Sequence, residues 1–403
     1  MIDVCIIGAG PAGLSAAIAC AEHGLTVRVL DEFIKPGGRL LGQLHQEPDG
    51  TWWNGIEEAR KLYELAHSLG VRVDCGASVY NLERTKRGWK VYIQGEVIDS
   101  PRVLLATGAA ETPIPIPGWT LPGVMSIGAA QVMTNVHRVK SGERGIVVGI
   151  NLLSVAITRE LQLAGIEIAG MFLPGTNPFI QDAAHPNQVM KSLLRVSHLA
   201  PSSLIRLGSK LMKGAFMQSL GLRFYPKTGV KIWGIPIHLR KAVLEIVGVN
   251  QVEGVRVADI SLDGIPVPGT EKVIPADFVC LAEGLYPLVE LASIAGCPFH
   301  YSAELGGHVP LHNENMETPI EGLYVAGNIT GIESAKVAMA QGRVAGLSIV
   351  DHSGRVGGAM KEKRKDAVRH VAEVRDQAVI QFHPHIKKAR GQLNGIWKAQ
   401  GYL

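Results

Sequence analysis

The 403-residue sequence contains no Cys-x-x-Cys pair, few aromatic residues (5%) and little net charge, at +4. Each shortage excludes something. The five cysteines, Cys5, Cys20, Cys75, Cys280 and Cys297, are scattered, so neither a dithiol centre nor a zinc or iron–sulfur spacing can be assembled from them. Cys5 and Cys280 sit within apolar strand-like runs and read as buried structural thiols. Slight charge and sparse aromatics argue against nucleic acid as a partner. No stretch reaches the roughly 18 consecutive apolar residues of a membrane span. The opening Met1-Ile2-Asp3-Val4 enters a strand without a basic leader, so a cytoplasmic location is the expectation.

What is present is a core-forming composition, with 46% hydrophobic and 19% charged residues and 47 glycines. That length supports two full domains and not three. Residues 3–7 form a short apolar run suited to a buried parallel strand. They lead into Gly8-Ala9-Gly10-Pro11-Ala12-Gly13 and then a small-residue helix, followed by the strand Thr26-Val27-Arg28-Val29-Leu30, which ends on Asp31 and Glu32. Gly8 permits the tight turn, Gly10 lets backbone approach a pyrophosphate, and Gly13 lets helix and strand pack closely. The helix N-terminus offers N–H groups and partial positive charge to phosphates. Asp31 is placed to accept from ribose hydroxyls.

Three further segments bear on which dinucleotide binds: Pro36-Gly37-Gly38-Arg39, Leu104-Leu105-Ala106-Thr107-Gly108, and Thr318 through Leu323-Tyr324-Val325-Ala326-Gly327-Asn328. With these, the chain resembles the two-dinucleotide-binding-domain flavoproteins of the glutathione and thioredoxin reductase superfamily, over residues 1 to about 350. The resemblance implies an α/β fold of two Rossmann-like domains, the second inserted in the first, with a short helical C-terminal tail. It implies FAD as cofactor. The site it implies comprises Gly8, Gly10, Pro11, Ala12, Gly13, Asp31, Glu32, Gly38, Arg39, Gln43, Val79, Ala106, Thr107, Gly108, Gly327, Asn328, Ser334 and Ala335. Asn328 stands where that superfamily usually carries Asp; its amide oxygen can still accept from a ribityl hydroxyl. Residues 334–349 read as a helix whose N-terminus, in the resembled proteins, points at the flavin pyrimidine.

The second nucleotide unit departs from the pattern. Strand Gly145–Gly149 leads into Gly149-Ile150-Asn151-Leu152-Leu153-Ser154, so the central and last glycines have become Asn and Ser. A side chain at Asn151 crowds the place where pyrophosphate touches backbone, which makes NAD(P) binding doubtful there. The expected boundaries are residues 1–112 with 273–350 for the FAD domain, 113–272 for the NAD-like domain, and 351–403 for the tail. A basic helical insertion is expected near 183–244, where Lys191, Arg195, Arg206, Lys210, Lys213, Arg223, Lys227, Lys231, Arg240 and Lys241 follow Asp182 with no acid before Glu245. It reads as a solvated face, a docking surface for an acidic partner or carrier, or an anionic-membrane contact.

Within the superfamily, Gly37-Gly38-Arg39-Leu40-Leu41, Ala106-Thr107-Gly108-Ala109, Pro117-Gly118-Trp119 and Leu121-Pro122-Gly123-Val124 are similar to the alpha-type subunits of heteromeric sarcosine oxidase, dye-linked proline or hydroxyproline dehydrogenase, opine oxidase and hydrogen cyanide synthase. This implies an FAD-binding subunit of an amine or amino-acid oxidising complex. Its partner would be a second flavoprotein subunit, with an iron–sulfur or ferredoxin-like chain as a further candidate. A self-sufficient NAD(P)H-dependent flavin oxidoreductase and a non-catalytic nucleotide-holding scaffold stay open beside it. No catalytic base is assignable; His45, Trp52, Trp53 and Glu283 lie in segments within possible reach of a flavin, and a structural role suits each. No metal is expected, since His383 and His385 lack further ligands.

Overall fold

Four of the five strands of the first parallel sheet are buried almost throughout, because their Val, Ile and Leu runs are covered on both faces. A computed structural model describes residues 2–401 except 48, 181, 196, 198–213, 356–358 and 379–380. The chain divides into two compact units: Met1–Gln43, Asn54–Ala110 and Leu285–Leu403 form the first, and Leu44–Trp53 with Glu111–Gly284 form the second.

In the first unit the strand order is Leu323–Val325, Val103–Leu105, Val4–Ile7, Val27–Asp31, Arg72–Cys75, all parallel. A three-stranded antiparallel meander, Val79–Thr85, Gly88–Ile93 and Glu96–Ser100, belongs to the same unit. The helix Pro11–Ala21 packs along the helix Ala335–His352. The small residues of the latter serve this contact: a Cβ on Gly342 would stand 2.0 Å from the Ala12 carbonyl oxygen, and one on Gly346 2.7 Å from that of Ala16.

Residues 351–403, expected as a separate tail, belong to this unit. Met360, Ala367 and Val371 of the helix Ala359–Gln377 join the core around Ala335–His352. The helix Ile386–Ala399 buries Ile386, Ala389, Leu393 and Trp397 against Leu305, Val309 and Leu311.

The second unit is built on a sheet ordered Val124–Ser126, Phe278–Leu281, Arg144–Val148, Glu167–Pro174, Ile235–Val247, Gly254–Asp259, Lys272–Pro275. The first five strands run parallel, Gly254–Asp259 pairs antiparallel with Ile235–Val247, and Lys272–Pro275 pairs antiparallel with Gly254–Asp259. The boundary expected at 272 therefore moves to 284, because Phe278–Leu281 lies between two strands of this sheet. The basic insertion is also corrected at its far end. Ile235–Val247 is a 13-residue strand whose first half alternates buried and half-buried positions, the period-2 pattern of a sheet face. Arg240 there donates to the carbonyls of Ile260 and Leu222, and Lys241 pairs with Asp259. The helices Pro186–Arg195 and Ala215–Arg223 are present; Arg206, Lys210 and Lys213 lie outside the described residues. No described helix is long and apolar enough to cross a membrane.

Candidate nucleotide site

The first turn depends on missing side chains. Gly8 has φ +107°, and a Cβ there would stand 2.3 Å from the Ala106 carbonyl oxygen; one on Gly13 would stand 1.8 Å from that of Gly8. Helix and strand thus meet at backbone contact. Gly10 differs: its nearest neighbour to a Cβ is the Gly38 Cα at 4.0 Å, so packing alone does not require glycine there. Gly10 is the N-cap of the helix Pro11–Ala21, and no side chain caps it. Pro11 has no N–H, and the N–H groups of Ala12 and Gly13 are the first-turn donors that a helix leaves for an outside acceptor. An uncapped helix end behind a glycine cradle fits a pyrophosphate.

Asp31 and Glu32 separate in role. Asp31 accepts from its own chain, Oδ2 from the Ala9 N–H at 2.6 Å and Oδ1 from the Phe33 N–H at 2.8 Å. Burial pushes its carboxyl upward, and these two N–H donors oppose the shift. Asp31 therefore fixes the turn and keeps a further lone pair on each oxygen for a ribose hydroxyl, while Glu32 beside it is exposed. The Gly37 N–H, donating to the Ala9 carbonyl at 2.8 Å, ties the following loop to the same turn.

That loop brings Gly38, at φ +53°, against Gly10, where a Cβ would stand 3.0 Å from the Gly10 Cα. Arg39 is exposed and donates through Nε and Nη2 to the Ala109 carbonyl at 3.2 and 3.0 Å. Gln43 closes the short helix Gly38–Gly42 by donating its backbone N–H to Leu40, and Val79 opens the meander, half-buried. Ala106 extends the central pairing by donating its N–H to Ile7. Thr107 donates its hydroxyl to the Leu288 carbonyl at 2.6 Å, and Gly108, at φ +79°, accepts from the Leu288 N–H. His45, Trp52, Trp53 and Glu283, whose segments allow them reach of a flavin by sequence, all belong to the second unit. Burial raises the Glu283 carboxyl.

The late segment supplies the other end. Gly327, at φ +78°, packs against Ala12, where a Cβ would stand 2.8 Å from the Ala12 Cβ. Its N–H donates to Gln341 Oε1 at 3.0 Å. Asn328 Oδ1 accepts from the Glu333 N–H at 3.2 Å, so one lone pair of the amide oxygen is engaged. Ser334 caps the helix Ala335–His352, its hydroxyl accepting from Val337 at 3.4 Å.

Sequence reading misses the side chains behind this turn. The buried Glu333 carboxylate accepts from Arg375, from Arg390 Nη2 at 2.7 Å and from Gln341 Nε2 at 3.3 Å. Arg390 also donates to Thr330 at 3.1 Å and to His312 Nε2 at 3.1 Å. His312 Nδ1 lies 2.7 Å from the Pro310 carbonyl, which assigns its proton to Nδ1. Burial and the Arg390 cation lower its pKa to about 3. For Glu333, burial works upward, but Arg390 and Arg375 outweigh it and hold the carboxyl below its usual range. No sequence motif announces the arginine contacts, because those partners stand 42 to 78 residues apart.

The second turn is built differently. Gly149 keeps φ +105° and its backbone approach, a Cβ standing 2.1 Å from the Ala282 carbonyl oxygen. Asn151 then caps the helix Leu152–Leu163 with its own side chain: Oδ1 accepts from the Ser154 N–H at 2.9 Å, and Ser154 Oγ accepts from the Asn151 N–H at 2.9 Å. Asn151 Nδ2 donates to the Ala282 carbonyl at 2.8 Å. This capping box consumes N–H groups that a pyrophosphate would need. Among the described residues no group of three or more His, Cys, Asp or Glu is placed to hold a metal, and Cys5, Cys20, Cys280 and Cys297 are buried free thiols, with Cys75 exposed.

Comparison with known proteins follows the same outline. One opine oxidase subunit of Agrobacterium tumefaciens (strain Ach5) is 30% identical over 359 residues, covering 86% of this chain and 65% of that protein. The chain thus spans just under two thirds of that relative's length. Hydrogen cyanide synthase subunit HcnB of Pseudomonas aeruginosa is 25% identical over 395 residues, 95% of this chain and 77% of that protein. The crystal structure of L-proline dehydrogenase from P. horikoshii superposes with a TM-score of 0.63 at 19% identity, over 91% of this chain and 58% of that one, a likeness of fold. Residues 2–342 match the pyridine nucleotide-disulphide oxidoreductase family, and with both dinucleotide-type turns in place within that span the chain belongs to that family.

Proposed function

We propose that this chain is the FAD-binding subunit of a multi-subunit amine or amino-acid dehydrogenase or oxidase, carrying electrons between an acceptor and a partner flavoprotein subunit. The observation that carries the reading is the contrast between the two turns. The first helix end is uncapped behind glycines; the second is closed by Asn151 and Ser154. A nucleotide pyrophosphate is expected at the first and excluded from the second, so electrons do not enter from NAD(P)H. Flavin suits the role because it accepts two electrons from a hydride-type oxidation and releases them singly.

In this reading the N–H groups of Ala12 and Gly13 hold the pyrophosphate, and Asp31, which also holds the turn, meets the ribose with Glu32 beside it. Gly38 and Ala106–Gly108 border the cofactor, and Asn328 and the Ser334 end of its helix face the ribityl and pyrimidine portions. The names of the relatives, which describe components of larger enzymes, support a partner chain, with an iron–sulfur or ferredoxin-like protein as a candidate acceptor. Lys191, Arg195, Arg223, Lys227 and Lys231 are exposed and offer cations to an acidic partner.

The test is an anaerobic absorption spectrum of the purified chain before and after NADH and then NADPH. A flavin spectrum that stays oxidised is expected. Prompt bleaching would instead establish a self-sufficient reductase, and a chain that carries no flavin and takes up none would leave only the nucleotide-holding scaffold.

A further inference from the structure

We propose that Arg390 and Arg375 are positioning residues for the flavin end of the site: through Glu333 they fix the Gly327–Glu333 turn and place one net positive charge behind the start of the helix Ala335–His352, favouring the arrival of electrons at the cofactor. This rests on the reading that a flavin lies at Asn328 and Ser334.

The geometry is that of a clamp made by two helices on one carboxylate. Arg375 comes from Ala359–Gln377 and Arg390 from Ile386–Ala399, both beyond residue 342, where the family match ends. The guanidinium groups converge on Glu333, whose own N–H donates to Asn328 and whose carboxylate accepts from Gln341. Gln341 in turn receives the Gly327 N–H, and Arg390 reaches the Thr330 hydroxyl. Asn328, the residue of the turn that meets cofactor in our reading, is therefore one hydrogen bond from Glu333, and Gly327 before it is tied to Glu333 through Gln341.

Its charge is unbalanced. Two guanidinium groups face one carboxylate, and the other groups bonded to them, Gln341, Thr330 and His312, carry no charge. Arg390 Nε is buried with no hydrogen-bond partner, although an arginine normally satisfies its donors when taken out of water. A buried ion cluster with surplus charge is less stable than an apolar replacement of similar volume. A balanced Glu–Arg pair would hold the turn equally well, so turn geometry alone does not account for the second cation. Negative charge that accompanies reduction gives it a counterpart. A unit charge on the order of 10 Å from a centre gaining one negative charge, at an effective dielectric of about 20, shifts the equilibrium roughly tenfold. Tenfold is about 30 mV for a two-electron couple.

The experiment is the midpoint potential of the flavin-loaded chain, by anaerobic titration against a reference dye, for the wild type, Arg390→Gln, Arg375→Gln and Arg390→Lys. Both Gln variants are expected to favour the oxidised form by about tenfold, a fall of about 30 mV, while Arg390→Lys, which keeps the charge, stays near wild type. Unmoved potentials in flavin-loaded Gln variants would overturn the inference. So would an Arg390→Lys potential as low as that of Arg390→Gln, since charge would then not be the agent. Should Arg390→Gln not fold, Arg375→Gln, which removes the same charge from a different helix, decides. A wild type that holds no flavin defeats the underlying reading; a loaded wild type with unmoved variants defeats this inference alone.

Discussion

Replacing Asn151 and Ser154 together by glycine opens the second turn, and its consequences can be worked from the bonds removed. The wild-type turn holds the Ser154 N–H on Asn151 Oδ1, the Asn151 N–H on Ser154 Oγ, and Asn151 Nδ2 on the Ala282 carbonyl. Losing the cap costs about 1 kcal/mol, and the Ala282 bond about 1 kcal/mol more. Glycine inside the first helical turn adds roughly 0.5 kcal/mol. The total, about 2–3 kcal/mol, lowers the melting temperature of a unit this size by roughly 5–10 °C. In exchange two N–H groups lose their side-chain acceptors and become free to meet an outside one. Hydrogen bonds to a charged group contribute about 1.5–3 kcal/mol each, so NADH should bind about a hundredfold more tightly or better. Calorimetric titration with NADH and a thermal melt are run on the same preparation. If the melt falls as expected while NADH affinity is unchanged, the cap is gone and was not the barrier. The argument from the second turn would then be refuted.

Two further substitutions separate ligand from fold at the first turn. Gly13→Ala puts a Cβ 1.8 Å from a backbone oxygen and should unfold the first unit, whereas Gly10→Ala meets nothing nearer than 4.0 Å and should keep the fold while retaining less flavin. Circular dichroism and flavin content after gel filtration distinguish them, and equal loss of structure in both would count against the assignment. In the second unit, Glu160 is held by Gln131, Asn135 and the Leu44 N–H. Burial raises its carboxyl to about 7, against those donors. A carboxyl raised in the folded state stabilises fully below its unfolded value near 4.5, and this contribution is lost as pH rises through about 7. The wild type should therefore lose up to about 3 kcal/mol across that window. Glu160→Gln should flatten the slope of melting temperature against pH; an identical slope would dismiss Glu160 as the cause.

How much the residues announce depends on how local their physics is. The glycines of the first turn, the strand before it and the capped helix after Gly327 are legible because each is set by neighbours in sequence. So is the departure at Asn151, although its reach to Ala282, 131 residues away, is not. Ile235–Val247 does not read as a strand because its basic residues and Pro236 mask the alternation that burial makes plain. Asp31 reads as a ribose ligand because its position fits one; that its oxygens also accept from Ala9 and Phe33 depends on how the turn closes. The Glu333 cluster is the least legible part, being assembled from three helices and a loop.

The order of strands in the first sheet also has a bearing on synthesis. Its edge strand Leu323–Val325 lies against Val103–Leu105, and Arg390 closes on Glu333 later still along the chain. Between them the ribosome makes all of residues 111–284, whose sheet draws no strand from outside that span. The inserted unit can thus be complete while the nucleotide turn at Gly8 still waits for its neighbours. Non-local pairing of this kind is slow and leaves apolar surface open meanwhile. The clamp on Glu333 accordingly closes only once translation has passed Arg390, long after the turn it supports was made.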